Sequence, residues 1–165
     1  MNIDWCGHAR SHLILVALAY GLLFGSCLWV TGGFPYVLDN NESFSSLWHA
    51  RNLYDFGLAR SWGLADESFS PHAGAHPYVH THQGNFPRLF AFALYVLGAR
   101  DITSQIVLTT FTVGLASVLL MFRFFSELAT PRFGAIACIV FMTDYVLFSQ
   151  WQMVTYRVWH TFQIV

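Results

Sequence analysis

The sequence predicts an all-α integral membrane protein with about three transmembrane helices and a long external loop that carries interfacial amphipathic helices. Composition is the first observation behind this fold class. Hydrophobic residues make up 55% of the 165 residues and charged residues only 10%, whereas a soluble domain has about 25% charged residues. So few charges cannot cover a soluble surface, and the net charge of −1 offers no basic footprint for nucleic acid.

The first apolar run, residues 13–33, predicts a transmembrane helix because it holds the roughly 20 uncharged residues needed to cross a bilayer. The alternative is a cleaved signal peptide. A signal peptide has an apolar core of only about 7–15 residues and a small-residue cleavage site, neither of which fits this run. Residues 1–12, which include Arg10, are therefore expected on the cytoplasmic side.

Two further apolar runs, residues 102–122 and 133–150, predict the second and third spans. The short segment between them, residues 123–132, carries Arg123 and Arg132. Positive residues in short loops mark the cytoplasmic side, which makes residues 34–101 external and places the tail from residue 151 outside as well.

The external segment is expected to contain two helices at the membrane surface. The first, Ser43–Leu58, is amphipathic and carries Arg51 and Asp55 as an i,i+4 pair. The second, Phe86–Gly98, is apolar but too short to span, so it is expected to lie on or dip into the outer surface.

The stretch Asp39-Asn-Asn-Glu42 directly follows the first span, and its residues permit two interpretations. Asp-x-x-Glu before an apolar-periodic stretch is typical of a capping box at a helix start. A carboxylate at the membrane surface can also act as a general base on a hydroxyl. The two roles are compatible, because a cap fixes the position of the carboxylate.

Histidines cluster between the two surface helices, at positions 72, 76, 80 and 82. Histidine is a common metal ligand, but Pro77 prevents the four from sharing one regular helix face. Contact with substrate and ordinary loop positions are the other interpretations. We expect no metal, and the three well-separated cysteines do not suggest a zinc site.

Arg88 and Arg100 flank the second surface helix, and the chain contains no lysine. An external guanidinium near the membrane matches the oxygens of a lipid phosphate. The alternative is that these side chains snorkel to the headgroups, with Arg100 next to Asp101 as a surface pair.

The order of these features resembles a known family. The residues that carry the likeness are Asp39-Asn-Asn-Glu42, Ala50-Arg-Asn-Leu-Tyr-Asp-Phe-Gly57, the stretch His76-Pro-Tyr-Val-His-Thr-His-Gln-Gly-Asn-Phe-Pro-Arg-Leu-Phe90 and the turn with Arg123. The arrangement is similar to the N-terminal module of C-type membrane glycosyltransferases. Within them it looks most like the glycosyltransferase family 39 group of dolichyl-phosphate-mannose–protein mannosyltransferases, lipid A aminoarabinose transferases and rhizobial core-oligosaccharide transferases.

The resemblance implies an inverting transfer of a sugar from a polyprenyl-phosphate carrier to a hydroxyl of a glycan, lipid or protein, without a cofactor. It implies Asp39 as the base with Glu42 as its partner. It further implies that the carrier phosphate and substrate are held by Arg88, Arg100, His80, His82 and Gln83. Relatives often have a lysine near the phosphate, and this chain has no lysine. Relatives also often have two adjacent acidic residues, whereas here Asn40 and Asn41 separate Asp39 from Glu42.

The resemblance also implies a location in the bacterial inner membrane with the site facing the periplasm. Because family members are several hundred residues long, the chain is expected to be a fragment. Two rival functions remain open. One is a non-catalytic membrane scaffold or subunit, and the other is a transporter fragment in which Asp144 of the third span couples an ion.

Overall fold

The computed structural model describes residues 5–30, 40–68, 78–79 and 85–143. These residues form five helices, α1 Trp5–Val30, α2 Asn40–Phe56, α3 Phe86–Val96, α4 Ile102–Leu128 and α5 Pro131–Thr143. Within the described ranges, extended pairing is limited to an isolated antiparallel bridge between Asp66 and Val79. The predicted all-α class is therefore confirmed for this part of the chain.

Two helices are long and apolar enough to cross a membrane. They are Ala9–Val30, within α1, and the whole of α4. The 11 residues of α3 rise about 16 Å, roughly half of a ~30 Å hydrocarbon core. The predicted third span is described only as far as Thr143, so its remaining residues lie outside the described ranges.

The first helix, α1, turns an apolar face outward. Leu18 and Leu22 are 60% and 72% exposed, whereas the core helix of a soluble protein hides such side chains. The opposite face of α1 is buried, because Val16, Tyr20 and Phe24 pack into a cluster with α4 and α5. The composition and the outward face together support a helical membrane protein.

Helices α4 and α5 form an antiparallel hairpin. Phe125 packs edge-on against Phe133, and the Cys138 thiol lies 3.7 Å from the carbonyl oxygen of Val118. The helix α4 continues to Leu128, so only residues 129 and 130 connect it to α5. Most of the predicted loop at 123–132 is therefore helical. Its location on the cytoplasmic side stays a prediction.

A second layer lies on this bundle and consists of α2, α3 and the 57–68 loop. Helices α2 and α3 lie side by side in the same direction, since His49 contacts Arg88 and Tyr54 contacts Tyr95 further along both helices. The buried amide of Gln105 on α4 donates to the carbonyl oxygens of Ala91 and Ala99, which fixes α3 on the bundle.

Helix α2 ends at Phe56, directly before Gly57 and two residues before the predicted end at Leu58. Gly57 has φ +84°, a left-handed conformation that costs glycine little, and its amide donates to the carbonyl of Leu53. Gly63 has φ +72° and turns the 57–68 loop back toward α2. Between them, Trp62 also has a positive φ, +57°, and is 91% exposed.

Candidate functional site

The candidate site is built on the inward face of α2. Ser46, His49 and Asn52 lie three residues apart and are all buried, whereas the aromatic side chains of Phe44 and Trp48 are exposed. Three-residue spacing places side chains on one helix face. Buried polar groups need hydrogen-bond partners, and the 57–68 loop and α3 supply them for His49 and Asn52.

The 57–68 loop is hydrogen-bonded along α2. The Asn52 amide donates to the carbonyl oxygens of Asp66 and Ser68, both at 2.8 Å. The Trp48 indole N–H donates to the same Ser68 carbonyl at 3.3 Å. These three bonds hold the acidic pair Asp66-Glu67 directly over the polar face of α2.

Asp66 is almost completely buried and is compensated locally. One carboxylate oxygen accepts a 2.9 Å hydrogen bond from the backbone amide of Ser68. The other lies 3.6 Å from Nε of Arg60, and the Arg60 guanidinium also lies over the Phe56 ring at 4.5 Å. The cation and the amide donor compensate the buried carboxylate, and these contacts stabilise the loop conformation.

Glu67, the neighbouring carboxylate, begins a line of three ionisable side chains that we call the Arg88–His49–Glu67 chain. Nε of Arg88 on α3 donates to Nδ1 of His49 at 2.9 Å, and Nε2 of His49 lies 3.2 Å from Oε1 of Glu67. Arg88 is 5% exposed and His49 1% exposed. The chain therefore joins α3, α2 and the 57–68 loop inside the protein.

The partners of His49 determine its protonation. Arginine has N–H donors and no acceptor, so Nδ1 of His49 must present a lone pair to Arg88. The proton of the neutral ring then lies on Nε2, where it can donate to the Glu67 carboxylate. His49 is thus a neutral imidazole between a guanidinium and a carboxylate, and its ring separates the two opposite charges.

The second arginine predicted to bind phosphate, Arg100, lies beyond the other end of α3. Its guanidinium lies over the rings of Tyr54 and Tyr95, at 5.0 Å and 5.6 Å from their centroids, and it donates to the Tyr54 hydroxyl. The two aromatic contacts stabilise the cation and restrict its rotamers. The structure therefore holds Arg88 and Arg100 in separate environments.

Asp101, which the snorkelling alternative paired with Arg100, caps α4. Its carboxylate accepts from the Ser104 hydroxyl at 2.6 Å and from the Ser104 amide at 2.9 Å. These bonds, the side-chain bond first, lower the pKa of Asp101 because they stabilise the charged form.

The remaining predicted site residues are only partly placed. Asp39, His80, His82 and Gln83 lie outside the described residues. Helix α2 begins at Asn40, so Asp39 directly precedes it in the sequence and Glu42 belongs to its first turn. Roles for these residues as cap, base or substrate contacts stay predictions.

Sequence reasoning missed His49, Asn52, Asp66 and Glu67 as members of the site. A signal for the first two existed, because polar residues at 46, 49 and 52 share one face of α2, opposite the exposed Phe44 and Tyr54. No local signal linked Glu67 to His49 or His49 to Arg88, which lie 18 and 39 positions apart.

Metal ligands do not converge in the part of the chain that the structure describes. There, no three His, Cys, Asp or Glu side chains lie close enough to hold a metal ion. The histidines at 72, 76, 80 and 82 lie outside the described residues, and the expectation of no metal stays a prediction.

Comparisons with protein-family models, with curated proteins and with solved structures found no match to this chain.

Proposed function

We propose that this chain is the donor-binding module of a multi-pass membrane glycosyltransferase. The enzyme would move a sugar from a polyprenyl phosphate, with inversion, to a hydroxyl of a glycan, lipid or protein. The reaction would take place on the external face, which for a bacterial inner membrane is the periplasmic face. The resemblance of the sequence motifs suggests this chemistry, and three features support it.

The first supporting feature is a polar layer, formed by α2, α3 and the 57–68 loop, that lies between the two candidate spans α1 and α4 in the sequence. Helix α1 precedes α2, α3 leads into α4, and the Arg88–His49–Glu67 chain lies between them. The outer side of α2 and its loop exposes Phe44, Trp48 and Trp62. Tryptophan is enriched at membrane interfaces, so this side is suited to lie against lipid headgroups, where a lipid-linked donor would be found.

The second feature, and the one that carries the proposal, is the burial of Arg88. Burying a guanidinium costs several kcal/mol unless the protein compensates it. Buried ionisable groups with specific partners cluster at functional sites. Nε of Arg88 is engaged by His49, so a phosphate would have to be bound through the Nη groups, whose fork geometry matches phosphate oxygens.

The third feature is the position of the acidic motif. Because α2 begins at Asn40, Asp39 directly precedes this helix in the sequence, and helix N-termini favour negative charge. We assign Asp39 as the base that takes the proton of the acceptor hydroxyl, with Glu42 as its partner. In the same proposal Arg100, His80, His82 and Gln83 line the donor site.

A matched pair of arginine variants tests the donor-binding role. Arg88→Gln removes the buried cation, whereas Arg51→Gln removes an exposed cation of α2 whose side chain is 67% exposed. Binding of a polyprenyl phosphate to the full-length protein in lipid nanodiscs should weaken about 10- to 100-fold in Arg88→Gln, the value of one charged hydrogen-bonding group, and should stay unchanged in Arg51→Gln. Equal affinity of both variants and the wild type would reject the role of Arg88. A folded protein that binds no polyprenyl phosphate would favour the scaffold alternative.

A further inference from the structure

The Arg88–His49–Glu67 chain has a property that a direct ion pair lacks. If Glu67 contacted Arg88 directly, the carboxylate would neutralise the guanidinium and compete with any other anion. The neutral ring of His49 instead occupies the space between them. His49 accepts one N–H of Arg88 and adds no opposite charge, so it orients Arg88 and its ring lies between Arg88 and the Glu67 carboxylate.

We propose that His49 and Glu67 are positioning residues for Arg88. Glu67 holds the proton of His49 on Nε2, the lone pair on Nδ1 then accepts from Arg88 Nε, and this bond aims the Nη edge of the guanidinium at the phosphate of the lipid-linked donor. This inference rests on the proposed function, because it names the residues that prepare its phosphate-binding group.

The rigidity of the surrounding contacts supports a positioning role. His49 lies on a regular helix and is 1% exposed. Glu67 belongs to a loop held against α2 by Asn52 and Trp48, and the Glu67 amide donates to the Tyr78 carbonyl at 2.7 Å. A side chain places its partner accurately only when its own position is fixed by packing and hydrogen bonds. Burial fixes His49, and the loop bonds fix the backbone that carries Glu67.

Two substitutions of His49 separate the two bonds of its ring. Asparagine places its side-chain oxygen near the position of Nδ1, so His49→Asn can still accept from Arg88 but no longer reaches Glu67. Glutamine places its amide near the position of Nε2, so His49→Gln can still contact Glu67 but leaves Arg88 Nε without its acceptor. Both variants remove the imidazole and introduce a neutral amide of similar polarity.

The test measures binding of polyprenyl phosphate and of the neutral polyprenol to the full-length protein in lipid nanodiscs. The Kd for polyprenyl phosphate should rise about 10- to 100-fold in His49→Gln and clearly less in His49→Asn. Polyprenol should bind both variants and the wild type equally, since it lacks the phosphate. Competition by inorganic phosphate would show that the headgroup alone is recognised; its failure to compete would show that the lipid-linked form is required.

The outcomes distinguish the inference from the proposed function. Equal losses of affinity for polyprenyl phosphate in both His49 variants would indicate a general structural role and overturn the positioning of Arg88. Equal losses of affinity for polyprenyl phosphate and for polyprenol would do the same. A wild-type protein that binds no polyprenyl phosphate would overturn the proposed function and the inference with it.

If the His49 variants do not fold, variants of Glu67 test the same inference. The Glu67 side chain is partly exposed, so its replacement disturbs the fold less. Glu67→Gln keeps an acceptor for His49 Nε2–H and should bind polyprenyl phosphate more tightly than Glu67→Ala does. Equal affinity of these two variants would overturn the inference.

Discussion

The contact between α1 and α4 at Gly114 allows a quantitative test of the bundle. Tyr20 is fully buried, and its hydroxyl donates to the carbonyl oxygen of Thr110 at 2.7 Å. A Cβ added to Gly114 would overlap this hydroxyl and lie 3.0 Å from the Cζ atom of the ring. The variant Gly114→Ala therefore forces Tyr20 out of its position.

The expected cost combines two terms. Overpacking in a filled core costs about 1–3 kcal/mol, and loss of the Tyr20 hydrogen bond costs about 1 kcal/mol. We therefore expect Gly114→Ala to lower the free energy of unfolding by about 2–4 kcal/mol, a large part of the roughly 5–15 kcal/mol of a typical domain. Gly21→Ala on α1 is the matched control, because a Cβ there meets no atom within 4 Å.

The assay is reversible unfolding in detergent micelles, extended to a double-mutant cycle. Tyr20→Phe removes the oxygen that the new methyl group would meet, so the double variant should be more stable than the sum of the single losses predicts, by about 1–3 kcal/mol. Rescue should be incomplete, because Cζ of the ring remains close. Equal effects of Gly114→Ala and Gly21→Ala, or strict additivity in the cycle, would refute this packing of α1 on α4.

Three further predictions concern topology, acid sensitivity and the 57–68 loop. The exposed side chain of Glu127 provides a labelling position for the predicted cytoplasmic segment. Glu127→Cys in a cysteine-free background should react with an impermeant maleimide only after cells are permeabilised. Labelling in intact cells would place this segment on the external side and contradict the predicted topology. The lowered pKa of Asp101 means that its negative charge stabilises the fold at pH values above its unfolded-state pKa of about 3.9. This stabilisation is lost as the pH falls through the lower pKa of the folded state. The stability difference between wild type and Asp101→Asn should therefore narrow below about pH 4 in thermal unfolding, and a constant difference would contradict the assignment. Asn52→Leu should cost about 1–3 kcal/mol and speed limited proteolysis within residues 57–68, whereas unchanged cleavage would show that the two Asn52 bonds do not hold the loop.

Much of the helix pattern was predictable because it depends on neighbouring residues. Helix α4 begins at Ile102, where the apolar run starts, and Asp101 is its N-cap. The surface helix predicted at 43–58 is α2, and its Arg51–Asp55 pair is confirmed at 3.3 Å. The short helix at 86–98 is also confirmed, as α3.

Helix α4 continues beyond the predicted span 102–122, to Leu128. Charge in residues 123–132 indicated a loop, but Arg123 and Glu127 are four residues apart and form a 2.9 Å pair on the helix surface. This spacing lets the helix continue with its charged side chains in a polar environment. A turn signal appears only at residues 129–130, just before Pro131, which is well suited to the first position of α5.

The site itself was less predictable, because its contacts join distant parts of the chain. The sequence indicated Arg88 as a phosphate contact or a snorkelling surface residue. The buried bond to His49 is incompatible with snorkelling, since the side chain is directed into the protein. Local patterns do not encode such a pairing, because it depends on how α2, α3 and the loop pack.

The most direct test of the central claim is sugar transfer by the purified full-length protein from a radiolabelled polyprenyl-phosphate sugar to a hydroxyl acceptor. The account predicts a product with inverted anomeric configuration, and a rate about 10²–10⁴-fold lower in Asp39→Asn, because asparagine keeps a helix cap but lacks the basic oxygen. Glu42→Gln, run beside it, shows which carboxylate takes the proton. Absence of transfer by the wild type, or near wild-type turnover in both variants, would contradict the account.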